Sequence, residues 1–252
     1  MRQAIMQPYL FPYIGYWQII NYVDEWIFFD VVKYNRKTWM NRNRILHPDQ
    51  NKEFQYISLP IKKHDKGTLI KDVLINNDEK WKEKILGQLT VYKKLKAPYY
   101  EDIIQLIASI LHVEYSRCLS LTIESTKQIA NYLDIDFKYK IASKIDFDKS
   151  EIKAPGDWAL TISKHQGATK YINPYSGYEI FDEEKYQNNN IDLLFLKPHL
   201  SKYRQSWRKN FIKGLSIIDI LMFNSKEEVK ALIDGDFTIL DKKQLIKELE
   251  KS

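Results

Sequence analysis

The apolar positions of the first thirty residues change period twice. Gln3 to Met6 reads as a short strand, and the loop that follows carries Pro8 and Pro12, which cannot donate to a ladder and so end it. From Tyr13 to Val23 the apolar residues Ile14, Trp17, Ile19 and Ile20 fall at helical spacing. Trp26 to Phe29 is then a continuous apolar run, the mark of a strand covered on both faces. Two such strands separated by about a dozen residues of helix are joined as a parallel pair through a right-handed crossover. In an open sheet of that kind small molecules bind beyond the carboxyl ends of the strands, where the N-terminus of the next helix can hold an anion. The segment QPYLFPYIGYW, from Gln7 to Trp17, lies at that turn.

Farther along, Phe54 to Leu59 alternates like a strand and Leu69 to Ile75 is a second candidate, so this region is expected to extend the sheet. Glu79 to Leu95 then reads as an amphipathic helix with Asp78 as its N-cap. Ala97 and Pro98 break it, and Tyr100 to Val113 and Leu119 to Leu133 continue as helices. Strand and helix alternate again through Phe137 to Ala142, Trp158 to His165, Tyr171 to Asn173 and Ile191 to Leu196. A polar, basic stretch from Lys202 to Lys213 precedes an apolar helix over Ile217 to Met222 and a last amphipathic helix from Lys226 to Ile233. The expected fold is α/β, with a Rossmann-like, mostly parallel sheet built from residues 1–77 and 136–252 and a helical segment inserted at 78–135.

Composition narrows the classes. A chain of 252 residues that is 44% hydrophobic and 29% charged can bury a substantial core, and 13% aromatic residues with 17 Tyr and 6 Trp is a high share. Lysine and arginine number 39 against 33 acids, a net charge of +6 that favours an anionic partner and leaves nucleotide sugars, nucleic acid and anionic membrane open. The single cysteine, Cys118, excludes an intrachain disulfide framework and a cysteine-based zinc site, and fits a reducing compartment. Among apolar neighbours in a helix it reads as a small buried hydrophobe. No run approaches the roughly 18 apolar residues of a membrane span, and the N-terminus lacks the order of a signal peptide, so a cytoplasmic protein is expected. GxGxxG, a Walker-type loop, GxSxG and HExxH are absent. His47, His64, His112, His165 and His199 are scattered singly without metal-ligand spacing, so no metal is assigned.

Two stretches carry candidate chemistry. Gln7, whose side chain both donates and accepts, stands before a Pro/Gly-shaped turn with Tyr9, Tyr13 and Tyr16, a composition suited to a sugar or a base. An aromatic turn closing over the core is the plain alternative, and Gly15 can equally serve close helix-to-strand packing. After Asp30 ends the second apolar run, Lys33, Tyr34, Arg36, Lys37, Trp39, Arg42 and Arg44 follow. Guanidinium groups pair bidentately with phosphate and stack on rings, so this segment suits a nucleoside diphosphate or an RNA backbone, although charge runs are more often solvated faces. Lys202, Tyr203, Arg204, Trp207, Arg208 and Lys209 form a comparable patch that could continue the same surface.

QPYLFPYIGYW, the apolar strand ending in Asp30, and WMNRNRI, followed later by GATKYINPYSGYEIFD and LSIIDILMF, together resemble the WbqC-like family over roughly residues 3–224. The chain departs from the expected pair of acids at the strand end, because Val31 follows Asp30. The resemblance implies a place among bacterial surface-polysaccharide (O-antigen) genes and a role in adding glycine to an amino sugar. Carried over by position, it singles out Gln7, Pro8, Tyr9, Gly15, Asp30, Asn41, Arg42, Asn43, Asn173 and Gly177.

The expected reaction is therefore aminoacyl transfer, in which the amine of a nucleotide-linked amino sugar attacks an activated glycyl carbonyl. That chemistry wants a base, donors for the oxyanion and anchors for the nucleotide. Asp30 and His165 are the candidate bases, Gln7 and Asn43 the candidate donors, and Arg42 and Arg44 the phosphate anchors. Pro8, Tyr9, Tyr13, Gly15, Lys33, Trp39 and Asn41 are expected to complete one wall, with Asn173 and Gly177 reaching in from the later strand. The sequence demands no cofactor; an activated glycine donor, glycyl-tRNA or glycyl-adenylate, would supply the acyl group, with tRNA as a second candidate partner. Two alternatives stand beside this. Pro12 to Tyr16, PYIGY, occupies the place of the H-x-G-H signature of HIGH-type nucleotidyltransferases, with Tyr13 and Tyr16 for both histidines. A non-catalytic groove that presents a nucleotide sugar or glycan intermediate to other enzymes is the other.

Overall fold

The computed structural model describes residues 1–36, 38–206 and 210–251. β1 (Arg2–Met6) leads through α1 (Ile14–Tyr22) into β2 (Glu25–Phe28), and the two strands run parallel with Gln3 opposite Glu25 and Met6 opposite Phe28. Ala4, Trp26, Ile27 and Phe28 have no exposed surface, as expected of strands with both faces covered.

The next two strands depart from the sequence expectation. β3 (Arg42–Leu46) and β4 (Phe54–Ser58) pair with each other, antiparallel, in a separate two-stranded sheet rather than extending the main one. β3 is hidden in the sequence because its charged residues read as a basic run, yet Asn43, Ile45 and Leu46 are buried. Leu69 to Ile75 is not a strand: a single 3-10 turn covers Ile70–Asp72, with isolated bridges at Lys33–Leu69 and Leu74–Arg117.

Three helices follow, α2 (Trp81–Lys94), α3 (Tyr100–His112) and α4 (Cys118–Tyr132). Asp78 does not cap the first of them, which begins after Lys80 without a side-chain cap. Their apolar faces join α1 and β3 in one hydrophobic cluster. No helix among the described residues is long and apolar enough to cross a membrane.

The chain then returns to the sheet with β5 (Tyr139–Ile141), α5 (Asp157–His165), β6 (Lys170–Pro174), α6 (Glu183–Gln187) and β7 (Asp192–Pro198). α7 (Ile217–Phe223) and α8 (Lys226–Gly235) come next, but α8 is not the last element. β8 (Phe237–Asp241) and α9 (Lys242–Leu249) follow it, the helix opened by a capping box between Asp241 and Gln244.

The six-stranded sheet has the order β5-β2-β1-β6-β7-β8, parallel throughout except between β7 and β8. This is the Rossmann-like α/β sheet that the sequence predicts. The chain lays β2 and β5 to one side of β1 and β6 and β7 to the other, so the boundary between β1 and β6 is the switch point at which such sheets bind ligands. Pairing across that boundary covers only Arg2–Lys170 and Gln3–Tyr171. No further rung joins the two strands, and their last residues, Met6 and Pro174, both line cavities at the carboxyl edge.

The turn from β1 into α1 is fixed by other segments. Phe11 takes a left-handed backbone, φ 43°, although its side chain is bulky and fully buried. The Asn43 amide donates to the carbonyls of Leu10 and Phe11, both at 2.9 Å, and its Oδ1 accepts the Arg44 N–H at 2.8 Å. Ser216 Oγ donates to the same Phe11 carbonyl at 2.7 Å, the Ile217 N–H to the Pro12 carbonyl at 3.0 Å, and the Leu10 N–H to the Trp39 carbonyl at 2.8 Å. Replacing Asn43→Ala would strand the buried Leu10 carbonyl and leave the Phe11 carbonyl to Ser216 alone. We expect a loss of about 1–3 kcal/mol, read as a lower urea midpoint with an unchanged slope. A midpoint equal to that of the wild type would show that the turn holds itself.

Candidate functional site

Three cavities run into one another along the carboxyl edge of the sheet. The inner one, about 420 Å³, is lined by Met6, Tyr9, Tyr13, Gly15, Trp39, Arg44, Lys213 and Gly214 among others. It shares Met6, Tyr9, Pro174 and Ser176 with a middle cavity of about 260 Å³. That in turn shares Gln7, Phe29, Pro155, Trp158 and Ile180 with an open outer cavity of about 690 Å³ bounded by Lys33, Asn35 and Lys153. The result is one trough from the start of α1 to the start of α5.

The inner end is cationic and aromatic. The Arg44 guanidinium lies over Trp39 (5.3 Å) and Phe54 (5.0 Å), and its Nη2 donates to the Gly214 carbonyl at 2.9 Å. This contact brings Lys213 beside it, so the late basic stretch reaches the site through Lys213 and Gly214. α1 opens here without a side-chain cap and without an acid in its first turn, leaving the positive end of its dipole unneutralised. Tyr13 lies over the start of the helix, and Gly15 makes room for it: a Cβ there would stand 2.6 Å from the Tyr13 ring. Gly15 thus accommodates the preceding tyrosine rather than a strand. Burial first, then the nearby Tyr9 and Tyr175, pushes the Tyr13 hydroxyl up to about 12, so it is a neutral donor at physiological pH. Burial likewise raises Tyr9.

The middle and outer parts are built from β1, β6 and the start of α5. Gln7 lines both cavities, and its side-chain amide makes no hydrogen bond to a described residue. Its backbone carbonyl accepts the Tyr16 hydroxyl at 3.0 Å, and Tyr9 stacks on Tyr16 at 5.2 Å. Asn173 accepts the Tyr171 hydroxyl (3.1 Å) and donates to the Pro174 carbonyl (2.9 Å). Gly177 lies so near that a Cβ would be 2.5 Å from Asn173 Nδ2. Trp158 meets Phe29 edge to face at 5.6 Å. Asp157 fixes the start of α5 by accepting the N–H groups of Lys153 (3.0 Å) and Ala154 (2.8 Å) and pairing with Lys185 (2.7 Å), which is the main cause of its lowered pKa.

Several residues singled out by the sequence lie elsewhere. Asp30 has no exposed surface. Both its oxygens accept from Ser143, at 2.8 Å from the N–H and 2.6 Å from the hydroxyl, so it braces β2 against the turn after β5 and does not face the trough. His165 is exposed at the far end of α5, about 12 Å of helix from Asp157 by the rise of 1.5 Å per residue. Neither can take a proton in the trough. Asn43 lines the inner cavity, but its two N–H bonds go to Leu10 and Phe11, so it is no oxyanion donor. Arg42 turns away and covers the Tyr56 ring at 4.3 Å, and Asn41 donates to the Leu59 carbonyl at 3.2 Å. Pro8 is buried in the turn. Lys33 reaches only the outer cavity. In the second basic patch Tyr203 turns inward to Asp219 at 2.7 Å; Trp207, Arg208 and Lys209 of that patch and Lys37 of the first lie outside the described residues.

Lys213, Trp158, Ser176 and Lys153 are among the lining residues that sequence reasoning did not assign to the site. Lys213 stood inside the basic stretch, and Trp158 at a helix start, a position where a ring can face a groove. Among the described residues no carboxylate and no imidazole lines any of the three cavities.

Residues 7–231 match the family model described as the WbqC-like protein family. The chain is also 25% identical over 226 residues to the uncharacterized protein Rv1507c of Mycobacterium tuberculosis, an alignment covering 87% of this chain and 92% of that protein. No solved structure matches.

Two outcomes test the geometry. A Cβ at Gly156 would meet the Ile180 carbonyl at 2.1 Å, so Gly156→Ala must push the wall of the middle cavity outward. A stability loss of about 1–3 kcal/mol is expected from such overpacking, together with altered Trp158 fluorescence; an unchanged melting temperature would contradict the close approach. Tyr13 and Tyr34, whose hydroxyls burial raises from 10.0 to about 12, should keep their protons in the folded chain where the unfolded chain loses them. Their contribution to stability is complete below pH 10 and is lost as pH rises toward 12, measurable as a fall in the urea midpoint that is smaller in Tyr13→Phe.

Proposed function

The chain belongs to the WbqC-like protein family, and from that premise we propose that it is a transferase acting on a nucleotide-linked amino sugar, adding a glycyl group during assembly of a bacterial surface polysaccharide. The observation that carries the reading is the inner cavity at the β1–β6 switch point, where Arg44, Lys213 and the uncapped start of α1 meet with no acid to oppose them. A diphosphate is the ligand that best matches two cations and a helix N-terminus, and Tyr9, Tyr13 and Trp39 provide faces for a base or sugar.

In the reaction the acceptor amine attacks the carbonyl carbon of the activated glycyl group. The new C–N bond forms, the C–O bond to the carrier breaks, and the carrier oxygen leaves with the electron pair. Because Asp30 and His165 lie outside the trough, the described residues supply no carboxylate or imidazole base there. The amine enters as the free base, and the proton it sheds goes to the leaving oxygen or to water. Catalysis then rests on juxtaposition of the two reactants, with the Gln7 amide placed to donate to the developing oxyanion.

The same lack of a base favours a second reading, in which the groove carries a nucleotide sugar without transforming it. A HIGH-type activity has less support, since Tyr16 spends its hydroxyl on the Gln7 carbonyl and Tyr13 is held neutral.

Incubation with a panel of nucleotide-linked amino sugars and activated glycine donors, read by mass, should show one added glycyl unit. Binding of a sugar nucleotide without any mass change would support the carrier reading. The exposed Lys213→Glu change should weaken sugar-nucleotide affinity by about tenfold or more, the scale of one lost charge-assisted contact. Unaltered affinity would remove the inner cavity as the diphosphate site.

A further inference from the structure

The trough continues past the inner cavity into an outer one that is also bordered by lysines and aromatic rings. We propose that Lys33 and Lys153 form a second phosphate site, and that the outer cavity holds the nucleotide end of the acyl carrier, so that two phosphate-bearing reactants lie end to end. The proposal rests on the transferase reading and adds to it where the second reactant sits and what class of molecule it is.

Four observations support it. The three cavities are contiguous, so ligands seated at the two ends can meet over Gln7 and Ser176. Lys33 and Lys153, from distant parts of the chain, border the same cavity; both are exposed, and neither is ion-paired with a described residue. Their backbones are fixed: Lys33 bridges Leu69, and the Lys153 N–H is held by Asp157 at 3.0 Å. Between the lysines and the junction stand Trp158 and Phe29, whose faces suit a nucleobase, while the Gln7 amide is left with its donors and acceptor unspent among the described residues.

The chemistry selects the ligand class. A free amino acid is not reactive toward an amine, so the donor must bear its acyl group as an ester or mixed anhydride, and a nucleotide carrier brings a phosphate to the cationic end. That nucleotide can be a free adenylate or the 3′ end of an RNA. Outside the mouth, Arg36, Lys62, Lys63 and Lys66 are exposed on the segments that flank the Lys33–Leu69 bridge, a face that an RNA would use and a free nucleotide would not.

Calorimetric titration tests the site, with UDP as the probe for the inner end, AMP for the outer, and an RNA hairpin with a single-stranded 3′ overhang. AMP should bind to protein already saturated with UDP. Lys33→Glu with Lys153→Glu should weaken AMP by tenfold or more while leaving UDP affinity and the melting temperature unchanged, and Lys213→Glu should do the reverse. RNA binding tighter than AMP, steeply salt-dependent and weakened by Lys62→Glu with Lys63→Glu, would identify an RNA carrier; RNA no tighter than AMP would identify a free adenylate. AMP that merely competes with UDP, or is indifferent to the Lys33 and Lys153 changes, overturns the second site. UDP binding without any AMP binding also overturns it and spares the inner site, whereas failure of UDP to bind the wild type removes the transferase reading beneath it.

Discussion

The shape of the site depends on how three carbonyls, one N–H and one strained residue are held at the turn between β1 and α1. Phe11 adopts a left-handed backbone that a bulky side chain rarely takes, and nothing within the turn compensates for it. Compensation comes from outside, through Asn43 on β3, Ser216 and Ile217 at the start of α7, and Trp39 between them. The small β3–β4 sheet and the C-terminal helices thus serve the same turn from two sides. With the turn fixed, Tyr9 and Tyr13 face the groove, Tyr16 packs beneath, and α1 begins with its amide end toward the cavity.

Electrostatics follow from that arrangement. Arg44 is the residue after the clamp, and the strand that buries Asn43 turns the Arg44 guanidinium toward Gly214 and the aromatic wall. The two residues are therefore adjacent on one strand and commit their side chains to different partners, Asn43 to the turn and Arg44 to Gly214 and the rings. The trough carries positive charge at both ends, while the acids nearby are paired elsewhere: Asp30 with Ser143, and Asp157 with Lys185 and two backbone amides. This distribution suits anionic reactants whose reactivity is already stored in an activated bond.

Much of the frame was legible in the sequence because period carries it. The β-loop-α-β unit, the helices between 81 and 132 and the strands around Tyr171 and Leu194 all show the spacing that burial imposes. The place of the β1–α1 turn at the carboxyl edge of the sheet followed from topology alone. Side-chain direction did not, because it is set by pairing partners that the sequence does not reveal. Asp30 looked like a base at a strand end, but the turn after β5 brings Ser143 over it; His165 shares a helix with Trp158 yet stands at the opposite edge of the sheet. Asn43 and Arg42 belonged to an apparent basic run that is in fact a half-buried strand. β8 was missed because all five of its residues are only partly buried, leaving no sharp alternation to read.

The short ladder between β1 and β6 has a consequence for how the molecule could respond to its ligands. Two backbone rungs join the halves of the sheet at the amino edge and none at the carboxyl edge, where α1, packed against β1, β6 and β7, spans the boundary instead. A molecule in the trough would touch Met6 on one half and Pro174 on the other. Filling it would tie the two halves together from above, adding side-chain contacts across a boundary that the backbone bonds at one end only.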